Sequence, residues 1–508
     1  MRSQGIYGVA VWLASAGLSM IGVRAQDGVG APAAFTDAWP AVEARFHALC
    51  EQHGVVGGAL QFVRGADELG FAAHGLADRD AGRAVDRDTI FHWASCTKTL
   101  TGIAVMQLRD RGRLRLEQPI VELVPELREV HDPFGPIEGV QIRHLMSHSA
   151  GFRGATWPWG GDRDWHPHEP TRWSQLVAMM PYTEVEFGPG TKFSYSNPGI
   201  VFLGRAIERL SGDDYEVYME KNVLRPLGMR SSYFDVTPYH LQRHRAHSYR
   251  RDGDRVTDHG ADFDTGVTVS NGGLNAPLPD MARYLAFLLG AAAPTDPAAA
   301  VLNRTSLEEM WRPVLPTSRA DGDSIGLCFF VQERQGQRFA THTGGQRDFV
   351  SFFHVHPESG TGALGAFNTS TAGPVMAELR RLCMDLSLRL APAAGGGDPG
   401  ELEWRGRRLR LDRSGEVPAL LLTVATGGHA LRYEEARRDG DTVELRLCLT
   451  TPGSDEMVTQ AFEDLRAEIP AADLGDARRA RVVISTWRRG VQYVRAPDHE
   501  PAGTLALR

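Results

Sequence analysis

Strand-like segments lie at both ends of residues 35–390, and mostly helical sequence lies between them. Residues 55–63 and 69–75 are apolar runs joined by a polar turn, as in two paired strands. Strand-like runs return late, at 325–333, 338–343, 349–355 and 361–368. The middle, residues 115–315, is mostly helix and loop in character. This order predicts an α+β domain whose sheet is mainly antiparallel and built from the two ends of the segment.

Three segments carry the helical spacing of apolar residues. They are 36–52, 95–112 and 374–390. Thr36 or Asp37 caps the first, and Gly112 closes the second in the usual C-terminal position.

Beyond residue 390 the composition changes. Residues 391–400, APAAGGGDPG, are typical of a linker. After it, 442–450 alternates apolar and polar residues, Asp439-Gly440 indicates a hairpin, and 480–486 is a further strand. We therefore predict a small all-β domain over 401–508. Nothing in it indicates catalysis, which favours a docking or stability module.

The first 25 residues are typical of a secretory signal. Arg2 supplies a positive start, 6–22 is free of charged residues, and Val23-Arg24-Ala25 resembles a cleavage site before Gln26. An uncleaved anchor is the alternative. No later stretch is long and apolar enough to cross a bilayer, so we expect no stable membrane span after cleavage. The mature protein is therefore expected to be periplasmic or secreted.

The bulk composition excludes some classes of protein. A formal charge of −8 argues against a nucleic-acid-binding protein, and 42% hydrophobic with 23% charged residues is typical of soluble globular domains. Five cysteines without CxxC spacing exclude a zinc ribbon. Export would permit a disulfide.

Lys98 is one of three lysines in a chain whose other basic residues are arginine. It follows Ser95 by three residues, which places both side chains on one face of a first helical turn. A serine hydroxyl becomes a good nucleophile only when a neighbour takes its proton. A lysine whose pKa is lowered by burial can do this, whereas arginine keeps its proton in proteins. The pair indicates an activated serine, and the alternative is a capping serine beside a solvated lysine.

A second motif, Tyr195-Ser196-Asn197, lies about 100 residues later. A tyrosine in contact with a lysine ammonium can act as a general base or acid, and an asparagine can hold a substrate amide or carbonyl. The alternative is a turn with a packed tyrosine.

The third motif is His342-Thr343-Gly344, between two predicted strands. A strand edge of small residues can bring a backbone N–H, here that of Gly345, to a substrate oxyanion. A free N–H beside Ser95 would supply the other donor. The alternative is a Gly-Gly hairpin.

Ser-x-x-Lys, Tyr-x-Asn and His-Thr-Gly, in this order, resemble the serine β-lactamase-like hydrolases, in particular the class C β-lactamase, D-alanyl-D-alanine carboxypeptidase and esterase group. The resemblance covers 35–390 and includes text outside the motifs, such as IRHLMSHSAGF and VLRPLGMRSSYF. It implies a β-lactamase/transpeptidase-like domain, an antiparallel sheet flanked by helices plus a helical subdomain. It also implies that Ser95 is the nucleophile, with Lys98 and Tyr195 as its proton-transfer partners. Asn197 and the His342-Thr343-Gly344 strand would position the substrate, with no metal or organic cofactor.

Two departures from the family pattern affect the substrate. Class C β-lactamases usually have lysine at the position of His342, and a near-neutral histidine is a weaker anchor for a carboxylate. Relatives often have Gly-Phe where this chain has Asp348-Phe349. Arg347 and Asp348 are predicted to place charge at the pocket rim, with pairing in solvent as the alternative. Arg347 would then replace the missing lysine as an anion anchor.

The sequence therefore predicts a serine hydrolase that acts on an ester or amide carbonyl through a Ser95 acyl-enzyme, and is most like a carboxylesterase. A D-alanyl-D-alanine carboxypeptidase or a β-lactamase is one alternative, and a catalytically silent binding protein of the same fold is another. The expected partner is a small-molecule ester, peptide or β-lactam substrate.

Other signals favour structural roles. Ser324 fits Gly-x-Ser-x-Gly, but no helix signal follows it. His166 and His168 have no further ligands at metal-site spacing. The tryptophans of the same loop either wall a pocket or pack the loop onto its own domain; they are Trp157, Trp159, Trp165 and Trp173.

Further histidines and cysteines are also interpreted as structural. His144 and His148 lie near a helix end, and Cys96 is expected to be packed. The resemblance makes a Cys50–Cys383 disulfide conceivable, because these residues lie in helices that flank one sheet in relatives.

Overall fold

The computed structural model describes residues 31–152, 171–293, 295–317 and 323–391, and beyond them chiefly the backbone of strands between 401 and 506. Within these residues the α-helices are α1 (Ala33–Gln52), α2 (Thr97–Asp110), α3 (Ile142–Met146), α4 (Trp173–Met179), α5 (Asn197–Ser211), α6 (Tyr215–Met219), α7 (Val269–Gly272), α8 (Leu278–Leu288), α9 (Arg304–Met310) and α10 (Gly373–Leu390). The predicted signal sequence, residues 1–25, lies outside the described residues, and cleavage and export stay predictions.

The strands up to α10 are β1 (Gly57–Arg64), β2 (Asp67–Asp78), β3 (Arg83–Ala84), β4 (Ile90–His92), β5 (Tyr233–Phe234), β6 (Tyr249–Asp252), β7 (Arg255–Asp258), β8 (Leu274–Pro277), β9 (Leu315–Pro316), β10 (Ser324–Ile325), β11 (Phe330–Arg334), β12 (Gln337–Gln346), β13 (Phe349–His356) and β14 (Thr361–Phe367). Nine of them form one sheet in the order β3-β2-β1-β14-β13-β12-β11-β10-β9. Each neighbouring pair is antiparallel. The predicted α+β class and the antiparallel sheet are confirmed.

The first and last parts of this domain meet at the centre of the sheet. β1 pairs with β14 from Gly58↔Phe367 to Arg64↔Thr361. These two paired strands therefore come from segments that are about 300 residues apart in the chain. The expectation that the two ends build one sheet is met at this pairing.

Both faces of the sheet are covered because successive side chains point to opposite sides. Leu60 and Phe62 pack with Phe352 and Phe367 in a cluster that α1 and α10 complete. The intervening residues Ala59 and Val63 belong to the larger cluster around α2 on the other face. Helix α2 is buried from Thr97 to Leu108, so it forms the centre of the helical side.

The segment predicted as a single strand over 325–333 is broken, and this prediction was wrong. β10 ends at Ile325 and β11 starts at Phe330. Between them Cys328 has a positive φ of 63°, and its N–H donates to Met146 O. At Gly326 an added Cβ would lie 2.2 Å from Met310 O, so the backbone itself packs against α9 here. Ser324 begins a strand that no helix follows, so it has no nucleophile elbow.

The C-terminal residues that the structure describes are strands: β15 (Glu401–Trp404), β16 (Arg407–Asp412), β17 (Ala419–Val424), β18 (Ala430–Asp439), β19 (Thr442–Thr451), β20 (Glu463–Glu468), β21 (Arg479–Arg488) and β22 (His499–Ala506). They form two four-stranded sheets, β15-β16-β17-β20 and β18-β19-β21-β22. The predicted hairpin joins Asp439 to Thr442 in register. The described residues of this part agree with the predicted all-β character, whereas the linker and the exact domain limits stay predictions.

In the described part of the chain, no helix is both long enough and apolar enough to span a membrane.

Candidate active site

Ser95 lies in a tight turn between a strand and the buried helix. β4 leads through Trp93 into a 3-10 turn, Ala94–Cys96, and α2 begins only at Thr97. The helix predicted to start at Ser95 therefore starts two residues later. Ala94 has a φ of 45°, a left-handed conformation that is strained for a residue with a Cβ. This sharp turn holds Ser95 half-buried at a cavity, while its neighbours Ala94 and Cys96 are buried.

Lys98 lies beneath this serine and makes two hydrogen bonds. Its Nζ donates to Ser95 Oγ at 2.9 Å and to the backbone carbonyl of Asn271 at 2.7 Å. Asn271 comes from α7, which packs against α2. No sequence motif indicates Asn271, because the group that contacts Lys98 is a main-chain carbonyl from 173 residues away in the chain.

Burial changes the chemistry of Lys98. The side chain is 0% exposed, and burial lowers its pKa to about 7, from an ordinary value of 10.5. A substantial fraction is therefore a neutral amine near pH 7. With one N–H donated to Asn271 O, the amine can direct its lone pair at the Ser95 hydroxyl.

Tyr195 covers Lys98 with its ring. The Lys98 Nζ lies 5.0 Å from the ring centroid, within the range of a cation–π contact. The ring stacks nearly parallel to Phe330, with an interplanar angle of 14°, and lies 6.4 Å from the ring of His342. Lys98 and Tyr195, the predicted proton-transfer partners, thus lie close to His342, which was predicted to position the substrate.

His148 holds the Tyr195 segment in place. Its ring lies 4.4 Å from that of Tyr195, its Nδ1 accepts from the N–H of Ser196 at 3.1 Å, and its carbonyl accepts from the N–H of Ser194 at 2.8 Å. His148 is 0% exposed and has a φ of 50°. The sequence predicts a structural role for His148 but does not indicate which residues it contacts. The structure identifies them as the three residues around Tyr195.

Asn197 is the first residue of α5. Ser196 caps this helix, its Oγ accepting from the N–H of Gly199 at 3.1 Å. The Oδ1 of Asn197 is shielded from solvent and has no hydrogen-bond partner among the described residues. Because other atoms of Asn197 line the cavity, this unsatisfied acceptor lies beside it.

The His342-Thr343-Gly344-Gly345 segment forms the last part of β12, beyond the end of its pairing with β11 at Thr341. Gly344 lets the strand approach the turn that carries Ser95: an added Cβ would lie 2.3 Å from Trp93 O and 2.5 Å from Ser351 Oγ. Gly345 has open space at the same position and lines the cavity. His342 is 2% exposed and packs against Phe330 at 5.2 Å, behind the cavity wall.

Arg347 and Asp348 form the two-residue turn between β12 and β13, with φ values of 48° and 67°. Arg347 is exposed, lines the cavity and lies over the ring of Phe263 at 5.4 Å. Asp348 points elsewhere and pairs with His259 at 2.8 Å. Arg347 is thus at the rim as predicted, and Asp348 is not. A left-handed position favours glycine, and aspartate is among the residues with a side chain that tolerate it best.

The cavity has a volume of about 450 Å³. Four residues of its wall were predicted from the sequence: Ser95, Asn197, Gly345 and Arg347. The sequence did not indicate the others, which are Leu176, Pro198, Val201, Phe263, Asp264, Val267, Thr268, Asn271 and Gln346. The other predicted site residues do not line the cavity; they are Lys98, Tyr195, His342, Thr343 and Gly344.

Other sequence predictions concern residues outside the site. His166, His168, Trp157, Trp159 and Trp165 lie outside the described residues. Trp173 packs into its own domain, donating from Nε1 to Glu126 at 3.3 Å.

The cysteines near the site and sheet are packed and free. Cys96 is 0% exposed with its Sγ 3.6 Å from Ser351 Oγ, which fits the prediction. Cys50 and Cys383 are buried on α1 and α10 but form no disulfide, so the conceived bridge is absent here. His144 accepts from the N–H of Gln141 at 3.2 Å and caps α3.

Solved structures of known proteins share this fold. A class C β-lactamase superposes with a TM-score of 0.58 at 17% identity, over 69% of this chain and 96% of that one. The octameric penicillin-binding protein homologue of Pyrococcus abyssi gives a TM-score of 0.59 at 24% identity, over 76% and 87%. The described domain therefore has the β-lactamase/transpeptidase-like fold.

Sequence comparison gives the family. The Beta-lactamase family model matches residues 42–385, and the chain belongs to this family of serine hydrolases. Esterase EstB of Burkholderia gladioli is 30% identical over 228 residues, which are 41% of this chain and 57% of the esterase. The chain thus matches little more than half the length of this relative.

Proposed function

We propose that the protein is a carboxylesterase-like serine hydrolase that forms an acyl-enzyme on Ser95. The observation that carries this proposal is the buried Lys98 with its Nζ 2.9 Å from Ser95 Oγ. Membership of a serine hydrolase family supports the class of reaction. The type of substrate is argued from the cavity.

The first half of the reaction forms the ester bond to the enzyme. Ser95 Oγ attacks the substrate carbonyl while its proton passes to the neutral Lys98 amine. The tetrahedral oxyanion accepts from the N–H groups of Ser95 and Gly345, two residues that line the cavity. Collapse breaks the bond to the leaving alcohol, which takes a proton from Lys98 with Tyr195 alongside.

In the second half, water attacks the acyl carbonyl. Its proton passes to the same amine, the acid is released and the Ser95 hydroxyl is restored. The carbonyl of Asn271 keeps Lys98 in position through both halves, because it accepts one N–H of the amine at 2.7 Å.

The nature of residue 342 favours an ester over a β-lactam. His342 is 2% exposed and packed against aromatic rings, so the cation that family β-lactamases present from this position is missing from the cavity wall. Four apolar side chains, Leu176, Val201, Phe263 and Val267, line one part of the cavity, which suits a neutral acyl group. The esterase relative supports the same choice.

A D-peptidase or β-lactamase is the second candidate, and one observation favours it. Arg347 places a guanidinium at the cavity rim, where it could hold a substrate carboxylate. A catalytically silent binding protein is the third candidate. The intact Ser95–Lys98 geometry argues against it.

The test follows turnover and intact mass of the purified protein with p-nitrophenyl butyrate, a D-alanyl-D-alanine peptide and nitrocefin, each separately. Rapid ester turnover with little nitrocefin hydrolysis is the expected result. Peptide release with a long-lived nitrocefin adduct would move the assignment to a D-peptidase. Absence of both adduct and turnover would favour the silent protein.

Ser95→Ala and Ser324→Ala form the matched pair of controls. Both remove one hydroxyl, but only Ser95 faces the cavity with a lysine beneath it. Labelling by a fluorophosphonate should disappear in Ser95→Ala and persist in Ser324→Ala.

A further inference from the structure

Gln346 ends β12 on the cavity wall, one residue after Gly345, and its carboxamide contacts a buried histidine. The outer amide atom, Oε1 in the structure, lies 3.0 Å from His92 Nε2. The other ring nitrogen, His92 Nδ1, lies 2.9 Å from Asn275 Oδ1. A histidine with an amide oxygen at both nitrogens must donate from both, and this requires an imidazolium.

His92 is a neutral imidazole at pH 7. It is 1% exposed, and burial together with the buried guanidinium of Arg245 lowers its pKa to about 4. The rings of Phe263 and Phe349 pack on it at 4.8 and 5.9 Å. One ring nitrogen therefore carries a proton, and the other presents a lone pair that needs a donor.

Asn275 decides which nitrogen carries the proton. Its Nδ2 donates to the backbone carbonyls of Gly273 at 3.2 Å and Asp235 at 3.4 Å. Turning this amide over would place its oxygen against two carbonyl oxygens in a residue that is 2% exposed. The Asn275 oxygen therefore faces His92, so the proton is on Nδ1 and the lone pair is on Nε2.

The two ends of a carboxamide have the same shape, so the hydrogen bonds around it decide its orientation. We infer that Gln346 turns its nitrogen to His92 Nε2 and its carbonyl oxygen to the cavity, where this oxygen accepts a hydrogen bond from a substrate N–H or O–H close to the scissile carbonyl. His92 is then a positioning residue, and Gln346 is a specificity-determining residue.

The inference deepens the proposed function and rests on it. Asn197 Oδ1, shielded and without a partner among the described residues, is a second acceptor beside the same cavity. Two acceptors near Ser95 favour acyl groups that carry an amide N–H or a hydroxyl over plain alkanoyl groups. The substrate class is therefore an acylamino or hydroxyacyl ester.

The first experiment reads the tautomer of His92 in the whole protein by NMR. Histidine labelled with ¹⁵N gives well-separated shifts for proton-bearing and bare ring nitrogens, and His92→Gln identifies the signals. A proton on Nδ1 and a bare Nε2 at pH 7 are expected. A proton on Nε2, or an imidazolium, overturns the inference whether or not the protein is an esterase.

The second experiment compares p-nitrophenyl N-acetylglycinate with p-nitrophenyl acetoxyacetate, which has an oxygen where the first has an N–H. After correction for uncatalysed hydrolysis, the wild type should prefer the acetamido ester by about tenfold in kcat/KM, since the lost hydrogen bond leaves an acceptor unpaired. Gln346→Met should reduce this ratio to about twofold or less. Gln337→Met, at the opposite end of β12, should keep it.

The outcomes distinguish a failure of the role inferred for Gln346 from a failure of the proposed esterase activity. Turnover of both esters with a ratio near one in the wild type, or a ratio unchanged in Gln346→Met, overturns the role of Gln346 and leaves the esterase standing. If neither ester is hydrolysed and Ser95 takes no fluorophosphonate, the proposed function fails, and the inferred substrate class fails with it.

Discussion

Lys98 Nζ lies 2.9 Å from Ser95 Oγ while the lysine side chain is wholly buried. Burying an amine is costly in its charged form, so this position selects for the neutral form that a proton acceptor needs. Arginine would remain charged at the same place. The single buried lysine is therefore explained by chemistry, in a chain that uses arginine at almost every other basic position.

Lys98→Met should lower kcat/KM for p-nitrophenyl butyrate by about a thousandfold, because the thioether fills the space but cannot take the serine proton. The melting temperature should not fall, since no charge is left buried. Lys221→Met is the control: it removes an exposed lysine paired with Asp213 at 2.7 Å. Retention of more than a tenth of the activity in Lys98→Met would contradict the role of Lys98 as base.

Activity should rise with pH through about 7 and level off above it. Burial lowers the pKa of Lys98 to about 7, and the neutral amine, which accepts the proton, is the form present above this value. The measurement is kcat/KM for p-nitrophenyl butyrate from pH 5.5 to 9 after subtraction of uncatalysed hydrolysis. A profile that falls as pH passes 7 would exclude a neutral Lys98 as the acting base.

His148→Ala should reduce kcat by about tenfold or more with a smaller change in KM, because Tyr195 loses the ring at 4.4 Å and Ser196 loses an acceptor. His148→Asn should recover much of the loss. Asparagine tolerates the positive φ, and its oxygen can accept from the Ser196 N–H. An equal loss of kcat in His148→Ala and His148→Asn would show that activity requires the imidazole ring itself and not only an acceptor for the Ser196 N–H.

Gly344→Ala should destabilise the fold by about 1–3 kcal/mol, because the new methyl meets Trp93 O at 2.3 Å. Gly345→Ala, next along the strand, should leave the free energy of unfolding nearly unchanged, since an added Cβ there meets nothing within 4 Å. Denaturant unfolding of the two variants tests this directly. If Gly344→Ala were tolerated as well as Gly345→Ala, β12 would lie further from the Ser95 turn than the structure places it.

Arg347→Ala should raise KM for the anionic p-nitrophenyl hemisuccinate by about tenfold and change KM for neutral p-nitrophenyl butyrate far less. The reason is the place of Arg347 on the cavity wall. Arg255→Ala removes an equal charge from exposed β7 and should affect neither substrate strongly. If both substrates change equally in Arg347→Ala, the residue is no anion anchor.

Local patterns predicted much of the main domain. The strands β1, β12, β13 and β14 have apolar runs that both faces of the sheet bury, and α1, α2 and α10 have helical spacing. The broken strand at Cys328 was missed because its cause is tertiary: a carbonyl of α3 and the end of α9 bend the backbone. No local pattern contains that information.

The candidate site divides in the same way. Ser95, Lys98, Tyr195 and Asn197 stand in short motifs whose chemistry can be read locally. Other groups act through contacts between distant segments, and these are the Asn271 carbonyl, His148 and the pair of His92 and Gln346. His92 and Gln346 are 254 residues apart in the chain. His92 lies only three residues before Ser95, but the sequence could not indicate its role. That role depends on the amides of Asn275 and Gln346, which contact the two ring nitrogens in the folded protein.

The pairing of β1 with β14 determines when the sheet can form during synthesis of the chain. When β1 leaves the ribosome, its partner edge is about 300 residues from being made, and at 5–20 residues per second the delay is roughly 15–60 s. During this time the hairpin of β1 and β2 exposes an apolar edge that invites pairing with other chains. The sheet closes only when almost the whole domain is synthesised, so the nascent chain depends on protection of this edge, as chaperones provide.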